Sequence, residues 1–307
     1  MIQTDIALPD HPEIEVTHIG PDQLPYVCIC ETLDRRVDST ISWHYHQYFE
    51  VTYVAEGSME CRTPDQVLEL NKGDAVFINT GMLHMYQKTS IGPCILYAHI
   101  FDSTFLAGTL SSNMYQKYIY PIAKSHHIQL QPIHSENLHQ TLMLEALQNM
   151  IDLAEKEPFG YEFQLQSQLS QFWCRLLTLT QHQQPAAPSH SDSDIQRMKG
   201  ILHYIHENYS HRVTLKDIAN AAAVSERECS RCFQRCLQES AISYLNKYRI
   251  RVAARMLQEG QGSIQAISQH CGFSSISYFG KQFRDLLGCT PKEYRRRAVG
   301  QTLQNIP

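Results

Sequence analysis

The sequence predicts an α+β multidomain chain: a small N-terminal antiparallel β-barrel, a helical pair and an all-α C-terminal domain. Three observations carry this. Short β-rich runs punctuated by glycine fill residues 43–101, and apolar positions then recur at helical spacing. The last hundred residues contain a unit that reads twice. At 307 residues the chain is too long for one ordinary domain and fits two.

Within the barrel region, Glu50 to Ala55 (EVTYVA) and Asp74 to Ile78 (DAVFI) are β-rich, with Gly57, Gly73, Gly81 and Gly92 between runs. Residues 135–181 then turn helical. Leu138, Leu142, Leu144, Leu147 and Ile151 form one stripe, and Leu165, Leu169, Phe172, Leu176 and Leu179 another. The break from Glu157 to Gly160 separates the two helices. Residues 182–193 are polar, proline-bearing and aperiodic, as an interdomain linker is.

Everything after the linker, over residues 194–298, reads as helix. Ile195, Met198, Ile201, Leu202 and Ile205 mark the first. Thr214 and Asp217 have capping-box spacing and open the second. A long helix from Ser240 to Glu259 is ended by Gly260. Ser263 opens the next, Ser274 or Ser275 the one after, and Thr290-Pro291 the last.

The doubled unit begins at Leu215 and recurs about fifty positions later. Arg231 returns as Lys281, Phe233 as Phe283, Ser240 as Thr290 and Tyr244 as Tyr294. Each copy has the grammar of a helix-turn-helix, whose second helix can enter the DNA major groove. On a helix over 226–237, Cys229, Cys232, Phe233 and Cys236 share the inward face, as small buried hydrophobes do. Arg227, Ser230, Arg231 and Gln234 share the outward face. In the second copy, Phe279, Phe283, Leu286 and Leu287 face in, while Ser277, Gly280, Lys281 and Arg284 face out. These eight outward residues are the candidate DNA contacts: arginine can pair with guanine, and the others can reach bases or phosphates.

Charge supports this division. Residues 1–193 carry 9 Lys+Arg against 22 Asp+Glu, a net −13; residues 194–307 carry 17 against 9, a net +8. Only the last part is suited to a polyanion. No run of 18 uncharged apolar residues is present, so no membrane span is expected. Met1 to Asp10 has acids, no basic residue and no apolar core, so no secretory signal is expected. The ten cysteines fit no small disulfide framework, which points to a reducing cytoplasm. No Ser/His/Asp arrangement, phosphate loop or dinucleotide fingerprint points to enzymatic chemistry.

The C-terminal residues resemble the AraC/XylS family of transcriptional regulators. The second copy carries the likeness in Ile267–Ser274 (ISQHCGFS), Ser277–Phe279, Phe283-Arg284 and Gly288–Arg295 (GCTPKEYR). The first copy departs from the pattern at Cys229, at Ala223 where glycine is common, and at Gln238 where the loop glycine is expected. The resemblance implies two helix-turn-helix units joined by the 240–259 helix, with recognition helices near 226–237 and 275–287.

His44, His46 and Glu50 followed by Gly57 look like the first cupin motif, and Gly73 to His84 resembles the second, with Asn79 where proline is usual. In metal-binding cupins the positions matching His44, His46, Glu50 and His84 converge inside the barrel. Three imidazoles and a carboxylate suit a divalent transition metal. Three readings stand side by side: these residues line a small-molecule pocket, hold the barrel together, or ligate a metal. Trp43, Tyr53 and Tyr97 are candidates to stack on a sugar, or core aromatics.

A cupin-like barrel over 1–134, a helical pair over 135–181 and this DNA-binding domain resemble the family's sugar-responsive branch. That implies a cytoplasmic, ligand-responsive regulator that requires no cofactor. Its expected partners are double-stranded DNA, a small effector and a second copy of the chain, with RNA polymerase if it is an activator. It also implies an N-terminal arm near Met1 to His18 that responds to ligand. The expected reading sites in DNA are two major-groove segments about one turn (~34 Å) apart. The competing expectations are a metal-dependent cupin enzyme and a metal sensor, each carrying the same DNA-binding domain.

Overall fold

The computed structural model describes residues 2–4, 20, 24–125, 127–181 and 192–304. The chain forms two compact units, one holding the barrel and its helices through residue 181, the other the helices from Asp192 onward.

Ten strands build the first unit: β1 (Ile2–Thr4), β2 (Tyr26–Thr32), β3 (Thr40–His44), β4 (Phe49–Glu56), β5 (Ser58–Arg62), β6 (Val67–Asn71), β7 (Ala75–Ile78), β8 (His84–Lys88), β9 (Ile95–Phe101) and β10 (Leu130–Ile133). They form a six-stranded sheet ordered β1-β2-β9-β4-β7-β10 and a four-stranded sheet ordered β3-β8-β5-β6. Every pairing is antiparallel except β1 with β2, where Ile2 aligns with Cys28. β2 and β10 lie outside the 43–101 stretch expected to hold the strands. Of the expected arm, β1 is the described part, and it sits as an edge strand.

Strand alternation divides the six-stranded sheet into two apolar faces. Val27, Ile29, Val54, Val76, Ile78, Leu96, Ala98 and Ile100 pack inward against Ile41, Met59, Cys61, Leu70 and Tyr86 of the other sheet, which fills the barrel. Their neighbours Tyr26, Cys28, Phe49, Val51, Tyr53, Ala75, Phe77 and Phe101 face outward and are covered by helices. Those helices are α1 (Ser103–Ala107), α2 (Tyr120–Ala123), α3 (Leu138–Lys156) and α4 (Tyr161–Thr180). Trp173 of α4 packs edge-on to Phe49 and Phe77, with ring centroids 4.9 and 5.9 Å apart.

The helical pair matches its expected spans, but the stripe on α3 is rotated. Met143, Leu144, Leu147, Met150 and Ala154 are buried, whereas Leu138 is 72% exposed. Methionine and alanine serve the core here, and a leucine-only count misplaces the face.

In the second unit, α5 (Asp192–Asn208) buries Met198, Ile201, Leu202 and Ile205 as expected. It already includes Asp192 and Ser193, so the linker is shorter than the expected 182–193; residues 182–191 lie outside the described ones. α6 (Leu215–Ala221) and α7 (Glu226–Leu237) form the first helix-turn-helix. α8 (Ala241–Gln258) joins it to α9 (Ile264–His270) and α10 (Ile276–Leu287), and α11 (Pro291–Gln304) follows.

The caps are as read: Thr214 and Asp217 make a full capping box, and Ser225, Ser240, Ser263 and Ser275 each cap a helix. The repeat is also structural. Phe233 packs on Tyr244 at 6.1 Å, and their counterparts Phe283 and Tyr294 pack at 5.4 Å.

Candidate functional site

His44 ends β3, His46 lies in the loop beyond it, Glu50 is the second residue of β4 and His84 opens β8. The first three come from the two sheets and the loop between them. A register irregularity between Ile41 and His44 turns His44 toward the barrel beside its partner His84. Glu50 points inward because Val54, four residues on, does so too.

All four residues are buried, and one ligand atom from each falls within 4.8 Å of the others. The imidazoles are oriented alike. Each Nδ1 lies against a backbone carbonyl two residues away: His44 on Ser42 at 2.8 Å, His46 on Tyr48 at 3.1 Å and His84 on Met82 at 2.8 Å. Nδ1 must therefore donate, which leaves Nε2 of a neutral ring with a lone pair.

Glu50 is divided the same way. Its Oε1 accepts from the Thr52 and Tyr86 hydroxyls, both at 2.6 Å. Its Oε2 faces His46 Nε2 at 2.8 Å and His84 Nε2 at 3.4 Å. The His84 Nε2 is buried with no hydrogen-bond partner. Lone pairs directed at a carboxylate oxygen require a cation between them, either a proton or a metal ion.

Burial pushes the Glu50 carboxyl up, but the His46 and His84 imidazoles against it hold it well below the usual carboxylate range. Burial, then the charge of His84, keeps His44 well below its ordinary value, against the pull of Glu50. A neutral imidazole and an ionised carboxylate are the forms that bind metals. Backbone carbonyls on the distal nitrogens are the support that metal-bound histidines receive. The donor set fits a divalent transition metal. Tyr86 and Thr52, which fix Glu50, escaped the sequence reading; their even spacing from His84 and Glu50 was the available signal.

Tyr53 and Tyr97 do not belong to this site. Both lie on the outward face of the six-stranded sheet, beneath the helices, and the Tyr53 hydroxyl accepts from Gln148 of α3 at 2.6 Å. Tyr53 stands three positions from Glu50, an odd offset, so alternation turns it away. Trp43 is buried within the irregular stretch of β3.

In the second unit, the recognition helices α7 and α10 bury Cys229, Cys232, Phe233, Cys236, Phe279 and Phe283. Leu286 and Leu287 are half-buried. Arg227, Ser230, Arg231, Gln234, Ser277, Lys281 and Arg284 are exposed, and Gly280 is half-exposed with nothing within 4 Å of where a Cβ would stand.

The two faces differ in charge organisation. Arg231 pairs with Glu228 on its own helix, and Arg235 lies 3.2 Å from Glu228 and 3.3 Å from Asp194. Acids thus neutralise part of the first unit's outward face. The left-handed turns are also unequal: Gly272 and Gly288 of the second unit stand at φ 76° and 68°, where the first has Ala223 at 53° and Gln238 at 58°. No helix among the described residues is long and apolar enough to cross a membrane.

Residues 218–297 match a helix-turn-helix domain family and residues 36–100 a cupin domain family. The chain is 27% identical over 286 residues to the HTH-type transcriptional regulator YdeC of Bacillus subtilis, covering 92% of this chain and 95% of that one. It is 25% identical to the HTH-type transcriptional activator RhaS of Pectobacterium carotovorum, over 84% of this chain and 88% of that one. An AraC-like transcription regulator of Streptomyces antibioticus is 33% identical over 98 residues, 32% of each chain. The chain joins a cupin domain to a doubled helix-turn-helix of the AraC type, the make-up of a ligand-responsive DNA-binding transcriptional regulator.

Proposed function

We propose that the cupin domain senses its effector at a divalent transition-metal centre held by His44, His46, Glu50 and His84. The observation that carries this is the convergence of His46 and His84 Nε2 on Glu50 Oε2, with a ligand atom of His44 within 4.8 Å and each ring anchored through Nδ1 to a backbone carbonyl. Such a metal supplies a Lewis acid able to accept an oxygen or nitrogen donor from a small molecule. This reading replaces the sugar-stacking one, since Tyr53 and Tyr97 lie on the other face of the sheet.

The regulator then acts as a homodimer in the reducing cytoplasm, and its task is regulation rather than catalysis. Phe159 and Phe163, 105% and 80% exposed at the turn between α3 and α4, support a dimer contact by the helical pair. α7 and α10 enter the major groove, and an activating form meets RNA polymerase.

The test is metal content and thermal stability of the purified full chain. About one transition metal per chain is expected, with a melting temperature lowered by chelator and restored by metal. His46→Ala should lose both the metal and the chelator response. Metal-free protein whose melting is indifferent to Zn2+, Mn2+, Fe2+, Co2+ and Ni2+ overturns the proposal.

A further inference from the structure

The two reading helices share a fold but not a tip. At an offset of fifty residues, Glu226, Arg227 and Glu228 of α7 stand where α10 has Ile276, Ser277 and Tyr278. The first turn of a recognition helix is the part that reaches base edges. What it carries there decides which bases the unit reads.

On α10 the tip is apolar and uncovered. Ile276 is 51% exposed and Tyr278 46%, while Phe279 and Phe283 alone fill the buried face of that helix. The Tyr278 hydroxyl accepts from Asn246 Nδ2 of α8 at 2.9 Å, which directs its ring and fixes it beside the tip. Gly280 lies one turn after Ile276 on the same side, and open space surrounds the position of its missing Cβ. Isoleucine therefore stands at the front of a smooth flank, with exposed Lys281 and Arg284 behind it for phosphates. In the major groove the apolar feature of a base edge is the thymine C5-methyl group.

On α7 the same positions are charged. Glu228 is engaged with Arg231 and Arg235, which leaves exposed Arg227 and Glu226 at the tip. Arginine suits guanine O6 and N7, and glutamate accepts from cytosine N4.

We propose that the second helix-turn-helix reads thymine methyl groups through Ile276 and Tyr278, whereas the first reads a G·C pair through Arg227 and Glu226. The operator half bound by one chain is then asymmetric, G·C in one major-groove segment and thymine-rich in the next. This rests on the reading that both helices enter the major groove.

The experiment selects sites for the full-length protein from a random duplex pool and replaces each thymine of a selected site by deoxyuridine, which removes only the methyl group. In the segment contacted by α10, replacement should weaken binding about 4-fold, the worth of one buried methyl. Ile276→Ala should reduce that penalty, and Glu226→Gln should keep it while relaxing the G·C preference. Specific binding without deoxyuridine sensitivity in that segment, or with a penalty unchanged in Ile276→Ala, overturns the inference. Failure to select any site, with Lys281→Ala and Arg284→Ala binding random DNA as the wild type does, overturns instead the major-groove reading beneath it.

Discussion

His46 Nε2 and Glu50 Oε2 lie 2.8 Å apart while His46 Nδ1 is held by the Tyr48 carbonyl. Both residues are buried, so the Glu50 carboxylate depends on its neighbours for compensation. Glu50→Gln removes the anion but keeps the shape. It is expected to destabilise the metal-free protein by about 3 kcal/mol in urea titrations. It should also abolish stabilisation by added metal. A variant as stable as wild type would mean that the Glu50 carboxylate does not hold the cluster together.

His99 is a fourth buried imidazole among the described residues of the barrel unit, away from the cluster. Its Nδ1 meets the Tyr26 hydroxyl at 2.7 Å, its Nε2 has no partner, and burial lowers its pKa to about 3 from 6.5. Above pH 6.5 neither folded nor unfolded chain protonates it. Between that pH and about 3 only the unfolded chain takes the proton, so stability falls with acidification by up to about 1.4 kcal/mol per pH unit. His99→Gln should flatten this slope relative to wild type in urea midpoints measured from pH 7 to 4. Parallel slopes would refute the assignment.

Ala223 and Gln238 occupy left-handed conformations where the second unit has glycine. Ala223→Gly and Gln238→Gly should each stabilise the protein by about 0.5–1 kcal/mol, the left-handed penalty less the added freedom of the unfolded chain. The reverse change is expected to be severe. A Cβ on Gly272 would stand 2.4 Å from the Tyr209 carbonyl oxygen, and Gly272→Ala should lower the melting temperature markedly.

Lys281→Ala is expected to weaken operator binding about 10-fold, with the folded state unaffected, and to reduce the salt slope by about one. Arg231→Ala should cost less, because Glu228 already holds that guanidinium and must be displaced before DNA can. Fluorescence anisotropy across a salt series separates the two. Equal losses would mean that the Glu228 pair does not compete.

Much of this was legible in the chain because it rests on local rules. Caps at Thr214, Ser225 and Ser275 and the Phe233/Phe283 repeat depend on neighbours within a few residues, and the four-residue cluster follows a fixed spacing. What escaped depends on tertiary partners. β2 is covered on both faces, so its Tyr26–Thr32 run shows no polar alternation. Asn79, which departs from proline, proves to be a clamp: its Nδ2 donates to the Ile122 and Ile128 carbonyls at 2.7 and 2.8 Å, groups more than forty residues away. Of the two readings open for Tyr53 and Tyr97, core aromatics is the one that fits their place on the outward face, to which alternation from Glu50 already turns Tyr53. The exposed tip residues Ile276 and Tyr278 carry no charge, so a basic helical face does not reveal them.

The most direct test of the sensor reading is the affinity of the full-length protein for its selected operator, titrated against free divalent transition metal, for wild type and Glu50→Gln. The predicted result is a metal-dependent change in wild-type affinity, reversed by chelator and absent in Glu50→Gln, whose metal-free affinity matches the wild type. Wild-type affinity that is identical with and without metal would contradict a sensor built on His44, His46, Glu50 and His84.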